Sequence, residues 1–339
     1  MENPYQYHTP LQSPDAFVAR PAEIMRIVSR IDADRPQSIA LVGGPGSGKT
    51  SLINWLCAPQ SRREYLDQPD QYTYLRLNLN EHPPQDPADF FAQVAAAQDG
   101  PQTMPPSYEG FSAWVKKLMQ AKRKLVLFLD DFGAVTNNSR FPIDFFSFLR
   151  SMANSNDVGY VTTSEAPLQE LCHTKGLEES PFFNIFTTMN LAPFKEDDAR
   201  RLVEEPATAA GQPFGEEVDW ILDLGGASPY LLCLTAHVAF ALRAQGALDR
   251  RRLESEAFKR GESFLQLLWN PPHCSPAEQT VLKNAATGHS VEARLEYAAQ
   301  ALARRHLLRP VDSGYELVPG LLKRFVQSSE MGFWKRLFR

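Results

Sequence analysis

At 339 residues, 43% hydrophobic and 22% charged, the chain exceeds one typical domain and has the make-up of a folded globular protein. A net charge of −5 argues against coating nucleic acid by bulk electrostatics, although the stretch from 275 onward carries ten Lys/Arg against six Asp/Glu. The longest apolar runs, at 125–129 and 230–234, are far too short for a bilayer, and residues 1–15 lack the pattern of a secretory signal.

Four scattered cysteines (Cys57, Cys172, Cys233, Cys274) form no CxxC pair, which suits reduced thiols in a cytoplasmic protein. In chain order, the first element is a helix, PAEIMRIVSRI, with Pro21 at its first position and Ile24, Ile27, Val28 and Ile31 on one face. A strand (38–43), a Gly-rich loop and a helix (49–56) follow, then a second strand at 72–80. A Pro-rich stretch, 81–110, holds one short helix at 88–97 between loops. Beyond a helix at 111–120 come a third strand, KLVLFLDD (124–131), an aromatic helix (141–152), a fourth strand, VGYVTTS (158–164), and a fifth at 183–191. Alternating strands and helices imply βαβ units and a parallel sheet.

After Pro193 the periodicity is helical only, including an almost wholly apolar and hence buried segment at 229–244. Residues 275–327 read as helix, a break at Gly288, a helix over 292–308, a hairpin and a last helix, which is a winged-helix order. The expected organisation is an N-terminal linker and helix (1–35), an α/β core with a parallel five-stranded sheet (36–192), a helical lid (193–270), a winged helix (271–329) and a basic tail (330–339).

Residues 43–50, GGPGSGKT, satisfy G-x-x-x-x-G-K-[ST] in full. Such a loop turns successive backbone N–H groups onto a phosphate, and the helix behind it adds its positive end. Gly43, Gly44, Pro45, Gly46, Ser47 and Gly48 would cradle the α/β-phosphates of ATP or ADP. Lys49 would reach the β/γ-phosphates, the Thr50 hydroxyl would ligate Mg²⁺, and Ser51 would join the nucleotide contacts. A P-loop by itself hydrolyses nothing; it needs a carboxylate for the metal and a group for the water. Asp130, after a run of apolar residues, suits the Mg²⁺ shell, and Asp131 suits the γ-phosphate side as catalytic base. Its reach is shorter than that of a glutamate, implying slow turnover. Capping of the next turn is the alternative for both. Thr163, at the end of the fourth strand, would contact the γ-phosphate or the attacking water; the alternative is a threonine present for β-propensity. Asp131-Phe132-Gly133 spells a kinase triplet, but the other kinase motifs are absent.

FVAR (17–20), GGPGSGKT, LVLFLDD, VTTSEAPL (161–168), FNIFTTMNLAPFKEDDARRLV (183–203) and GGASPYLL (225–232) together resemble the STAND class of AAA+-like P-loop ATPases. The resemblance spans roughly residues 14–327. It implies a nucleotide switch in which ADP holds a closed monomer and ATP drives self-association and contact with a protein effector. By the same resemblance Arg20 lies near the base and Pro229 in a lid turn that packs on adenine. Ser228-Pro229 also reads simply as an N-cap with proline at N1. Two departures stand out: Ala19 replaces a common glycine, and Glu165 replaces the arginine that commonly follows the fourth strand.

Two features remain. The winged helix would either clamp the chain or hold duplex DNA through Arg304, Arg305 and Arg309, as in DNA-associated AAA+ ATPases of the origin-recognition or transposition-targeting kind. The tail GFWKRLFR (332–339) places Phe333, Trp334, Leu337 and Phe338 opposite Lys335, Arg336 and Arg339. That pattern suits an anionic membrane, a partner groove or packing onto the winged helix.

Overall fold

The computed structural model describes residues 2–13, 17, 20–98, 104–312 and 314–337, without the side chains of 329–337. It divides into two compact units. The first, the core unit, comprises Leu11–Gly44 and Lys49–Leu191. The second comprises Ala192–Arg339 together with the residues up to Pro10 and the loop tip Pro45–Gly48. Of the described residues in 1–35, those up to Pro10 cluster with the second unit and those from Leu11 with the core.

The core unit alternates helix and strand. It runs through α1 (Pro21–Ile31), β1 (Ser38–Val42), α2 (Lys49–Cys57), α3 (Pro59–Tyr65), β2 (Tyr72–Asn78), α4 (Pro87–Ala96), α5 (Tyr108–Gln120) and β3 (Lys124–Asp130). It continues with α6 (Gly133–Thr136), α7 (Ile143–Ser155), β4 (Val158–Ser164), α8 (Lys175–Glu178) and β5 (Phe186–Asn190). All pairings are parallel and the strand order is β2-β3-β4-β1-β5. Burial on both faces explains why β1, β3 and β4 read as apolar runs rather than alternating ones. β5 is shorter than its apolar run because Pro181 opens a 3₁₀ turn over Pro181–Ile185.

The Pro-rich stretch is not a surface appendage. Its helix α4 delivers Phe90 and Phe91, both fully buried, against Phe145 of α7, and α5 adds the buried Phe111 beside Phe91. Ring centroids lie 5.2 Å apart for Phe90–Phe145 and 5.5 Å for Phe91–Phe111. Both helices start at side-chain caps, Asp86 and Ser107, which accept the backbone N–H of Asp89 and Gly110. The opposite face of the sheet packs on α1 and α2 through Ile27, Ile31, Leu52 and Ile53.

In the second unit the expected helices are α9 (Glu196–Ala209), α10 (Val218–Gly225), α11 (Pro229–Arg243) and α12 (Arg250–Trp269). The winged helix follows as α13 (Pro276–Thr287), α14 (Glu296–Arg304), β6 (Leu308–Val311), β7 (Gly314–Leu317) and α15 (Gly320–Leu337). The continuous helix expected over 292–308 is instead a 3₁₀ turn at Ala293–Leu295 followed by α14. It stops where His306 takes φ 53°, a left-handed value incompatible with further helix. The N-terminal residues strap across the lid helices: Asn3 donates to the His237 carbonyl at 2.9 Å, and the Tyr5 hydroxyl donates to that of Val203. The tail pattern falls largely outside the described residues: α15 runs to Leu337, but the side chains from 329 onward and residues 338–339 are not described. All four cysteines are unpaired, and burial pushes the Cys57 thiol up to about 12 and that of Cys274 up to about 11.

Phe145→Ala, which removes the ring between Phe90 and Phe141, should cost the core unit about 3–5 kcal/mol. Chemical denaturation followed by the core's hydrogen-exchange protection would measure this, and a loss under about 1 kcal/mol would contradict the packing account.

Candidate nucleotide site

The parallel register brings the carboxyl ends of β1, β4 and β3 side by side. Val42 pairs with Ser164 and Leu129 with Thr162, so the phosphate loop leaves β1 one strand away from Thr163 and two from Asp130. Gly43 N–H donates to the Ser164 carbonyl at 3.1 Å, fixing the start of the loop against the end of β4. Within the loop Gly46 and Gly48 take φ 69° and 88°, values that Cβ-bearing residues rarely adopt. Gly46, which clusters with the second unit, is further constrained: an added Cβ would come within 2.7 Å of the Phe264 ring and 2.8 Å of Tyr230 Cβ.

Lys49 opens α2, and its ammonium folds back to the carbonyls of Gly43 (2.6 Å) and Gly44 (3.1 Å). Burial lowers its pKa, opposed by the negative charges of Glu165, Asp131 and Asp130. One residue on, Thr50 Oγ1 donates to Asp130 Oδ1 at 3.3 Å. The Asp130 side chain is 5% exposed, so its partners decide whether it can sit there at all. Besides Thr50 it accepts from Thr163 Oγ1 at 2.7 Å and from Arg76 at 3.4 Å.

Asp131 is the most strained position of the group. Its φ of 62° is left-handed for a residue with a Cβ, at a cost of roughly 1–2 kcal/mol. The Asp131 N–H donates to Thr163 Oγ1 at 2.8 Å, and Phe132 N–H to the Thr163 carbonyl at 2.9 Å. Desolvation raises the Asp131 pKa, reinforced by Glu165 and Asp130 and opposed by Lys49.

Several of the expected site residues have partners within the protein. Thr163, expected to face the γ-phosphate or water, is fully buried with its hydroxyl committed at both ends, to Asp130 and to Asp131 N–H. It bridges the two aspartates. The Ser51 hydroxyl accepts Leu11 N–H at 3.1 Å. Arg20, expected near the base, is buried at the N-cap of α1 with φ 74°, and its guanidinium donates to Glu23 at 3.1 Å. Pro229 stands at N1 of α11, where Ser228 caps the helix by accepting Leu231 N–H. Arg76 was missed; the signal was a charge inside an otherwise alternating strand. Glu165 was noted only for the arginine it replaces, and its charge acts on Lys49 and Asp131, which sit after neighbouring strands.

In the winged helix, two of the three arginines assigned to DNA phosphates are already paired. Arg305 meets Glu278 at 3.0 Å and Arg309 meets Glu316 at 2.5 Å, while Arg304 is exposed.

Residues 33–262 match the family described as "Novel STAND NTPase 2". The chain belongs to that family. Solved structures support the fold. The Walker-type ATPase of Pyrococcus abyssi shares 13% identity at a TM-score of 0.65, over 94% of this chain and 99% of that one. The ORC2 protein of Aeropyrum pernix, in ADPNP–ADP complexes, shares 13% at 0.62, over 91% and 93%. The Aeropyrum pernix ORC1 protein in complex with DNA shares 15% at 0.53, over 95% and 94%. At such identities the likeness concerns the fold: a P-loop α/β core with a helical lid and a winged helix. No curated protein matches the chain in sequence. No helix among the described residues is long and apolar enough to cross a membrane.

Thr163→Val would strip both buried bonds from the aspartate pair, costing about 2 kcal/mol and exposing the Asp131 amide to hydrogen exchange. Thr163→Ser should retain the protection; full protection in the valine variant would contradict the bridge.

Proposed function

We propose that this STAND NTPase is a slow ATP-dependent switch whose nucleotide state governs its conformation, its self-association and its contact with a protein partner. One observation carries the reading: a complete phosphate loop is joined by Thr50 to a buried aspartate, and that aspartate by Thr163 to a second one held in a strained conformation.

The residues divide the work. The loop amides of 43–48 and the N-terminus of α2 would bind the α/β-phosphates. Lys49 would exchange its bonds to the Gly43 and Gly44 carbonyls for the β/γ-phosphates, an easy trade for a flexible ammonium. Thr50 and Asp130 would hold Mg²⁺; a hydroxyl and a carboxylate 3.3 Å apart are oxygen donors of the kind that ion takes. When bound, Mg²⁺ supplies charge neutralisation at the phosphates. Asp131 would accept the proton of the attacking water. Its raised pKa makes it a stronger base than an ordinary aspartate, and that function is lost as pH falls through the raised value. Its short side chain limits reach, which supports slow turnover. Arg20 and Pro229 remain proposed contacts to the base, as do the domain limits at 192, 270 and 329.

The DNA-associated alternative draws on the ORC1–DNA relative but is weakly served by this winged helix, where Arg305 and Arg309 are spent on Glu278 and Glu316. The intramolecular clamp is the better reading. The tail remains a proposed contact for a membrane or partner.

An ATPase and nucleotide-binding assay on two variants tests the proposal. Lys49→Ala should lose nucleotide affinity and turnover, whereas Asp131→Asn should bind nucleotide and lose about two to four orders of magnitude in turnover. Wild-type turnover in either variant would remove that residue from its role.

A further inference from the structure

The tip of the phosphate loop, Pro45–Gly48, clusters with α11 and α12 in the second unit. Those two helices pack closely. Gly261 of α12 sits so near α11 that an added Cβ would come within 2.8 Å of the Leu234 side chain. One turn along on both helices, the Phe264 ring stacks on the Tyr230 ring, with centroids 3.9 Å apart and planes 28° from parallel. The helices therefore run antiparallel here, and the missing side chain at Gly261 permits the close approach that the stack needs.

Both members of the pair bear on Gly46. An added Cβ there would meet Phe264 Cζ at 2.7 Å and Tyr230 Cβ at 2.8 Å, so the aromatic ring rests on the glycine backbone itself. Gly46 takes φ 69° and carries one of the amides that a phosphate would meet. A glycine has no side chain to restrict its own conformation, so whatever packs on it decides how well the tip is held. The pair is backed in turn by the first residues of the chain. Tyr7 meets the Tyr230 ring edge-on at 6.0 Å between centroids and the His237 ring at 5.1 Å. His237 is itself fixed: its Nδ1 lies 2.8 Å from the Tyr5 carbonyl, and its own carbonyl accepts from Asn3 at 2.9 Å.

We propose that Tyr230 and Phe264 position the tip of the phosphate loop for the phosphates of a nucleotide, with Tyr7 bracing the pair. The inference rests on the nucleotide-binding reading and adds to it two residues that act through Gly46. Affinity for phosphates is then set partly by the packing of α11 and α12, and displacing residues 3–7 from α11 weakens it.

The test is calorimetric titration of the full chain with ADP and with inorganic pyrophosphate, both with Mg²⁺, for wild type, Phe264→Leu, Tyr230→Leu and Tyr230→Phe. Each leucine variant should lose about three- to tenfold in affinity for both ligands alike, the worth of a stacked aromatic pair. Tyr230→Phe keeps the ring and should keep both affinities, and hydrogen-exchange protection along α11 should be the same in all four proteins. Unchanged affinities in the leucine variants overturn the proposal. So does a loss confined to ADP, which would make the pair a contact to the base, and so does a loss that follows lost protection of α11, which would make it helix packing alone. Failure of the wild-type chain to bind either ligand would instead sink the nucleotide-binding reading, and this inference with it.

Discussion

The buried Asp130 carboxylate is the constraint around which the core unit is arranged. A carboxylate so deeply buried is costly unless its oxygens are occupied, and here the partners come from three different elements: Thr50 from α2, Thr163 from β4 and Arg76 from β2. Those bonds tie the helix behind the phosphate loop to the strand that supplies the acid. The same Thr163 hydroxyl accepts Asp131 N–H, which helps hold the left-handed turn that aims the second carboxylate. Site geometry and sheet register are thus one problem with one solution, because a one-residue slip between β3 and β4 would remove Thr163 from both aspartates.

The rest of the core unit explains how such a polar assembly is kept rigid. β1, β3 and β4 are buried along nearly their whole length, with α1 and α2 on one face and the phenylalanines of α4, α5 and α7 on the other. The Pro-rich stretch contributes two of those rings, Phe90 and Phe91, so this segment belongs to the sheet's cover. Polar groups at the carboxyl edge of a sheet clad on both sides have few alternative conformations, and their spacing is held for a ligand.

Much of this was legible in the residues themselves. GGPGSGKT and LVLFLDD each encode a local device, a glycine-rich turn between strand and helix and an acid at the end of a buried strand, so both could be read from the residues alone. The bridging role of Thr163 could not, because it depends on pairing between strands far apart in sequence. The same holds for Arg76 and Glu165, whose meaning comes from the order β2-β3-β4-β1-β5. Local backbone chemistry accounts for the boundary differences. Pro181 trims the fifth strand into a 3₁₀ turn, and His306 at φ 53° stops α14 short of the continuous helix its periodicity suggests. The partners of the Ser51 and Arg20 side chains, Leu11 N–H and the Glu23 carboxylate, likewise emerge only in the fold.

A STAND-family NTPase built on this edge should bind nucleotide through the loop and sense the metal through the aspartate that Thr50 touches. Calorimetric titration of the purified chain with ADP, with Mg²⁺ present and then chelated, tests that most directly. The account predicts saturable binding at a single site that tightens when Mg²⁺ is present. Absence of binding, or binding indifferent to the metal, would contradict it.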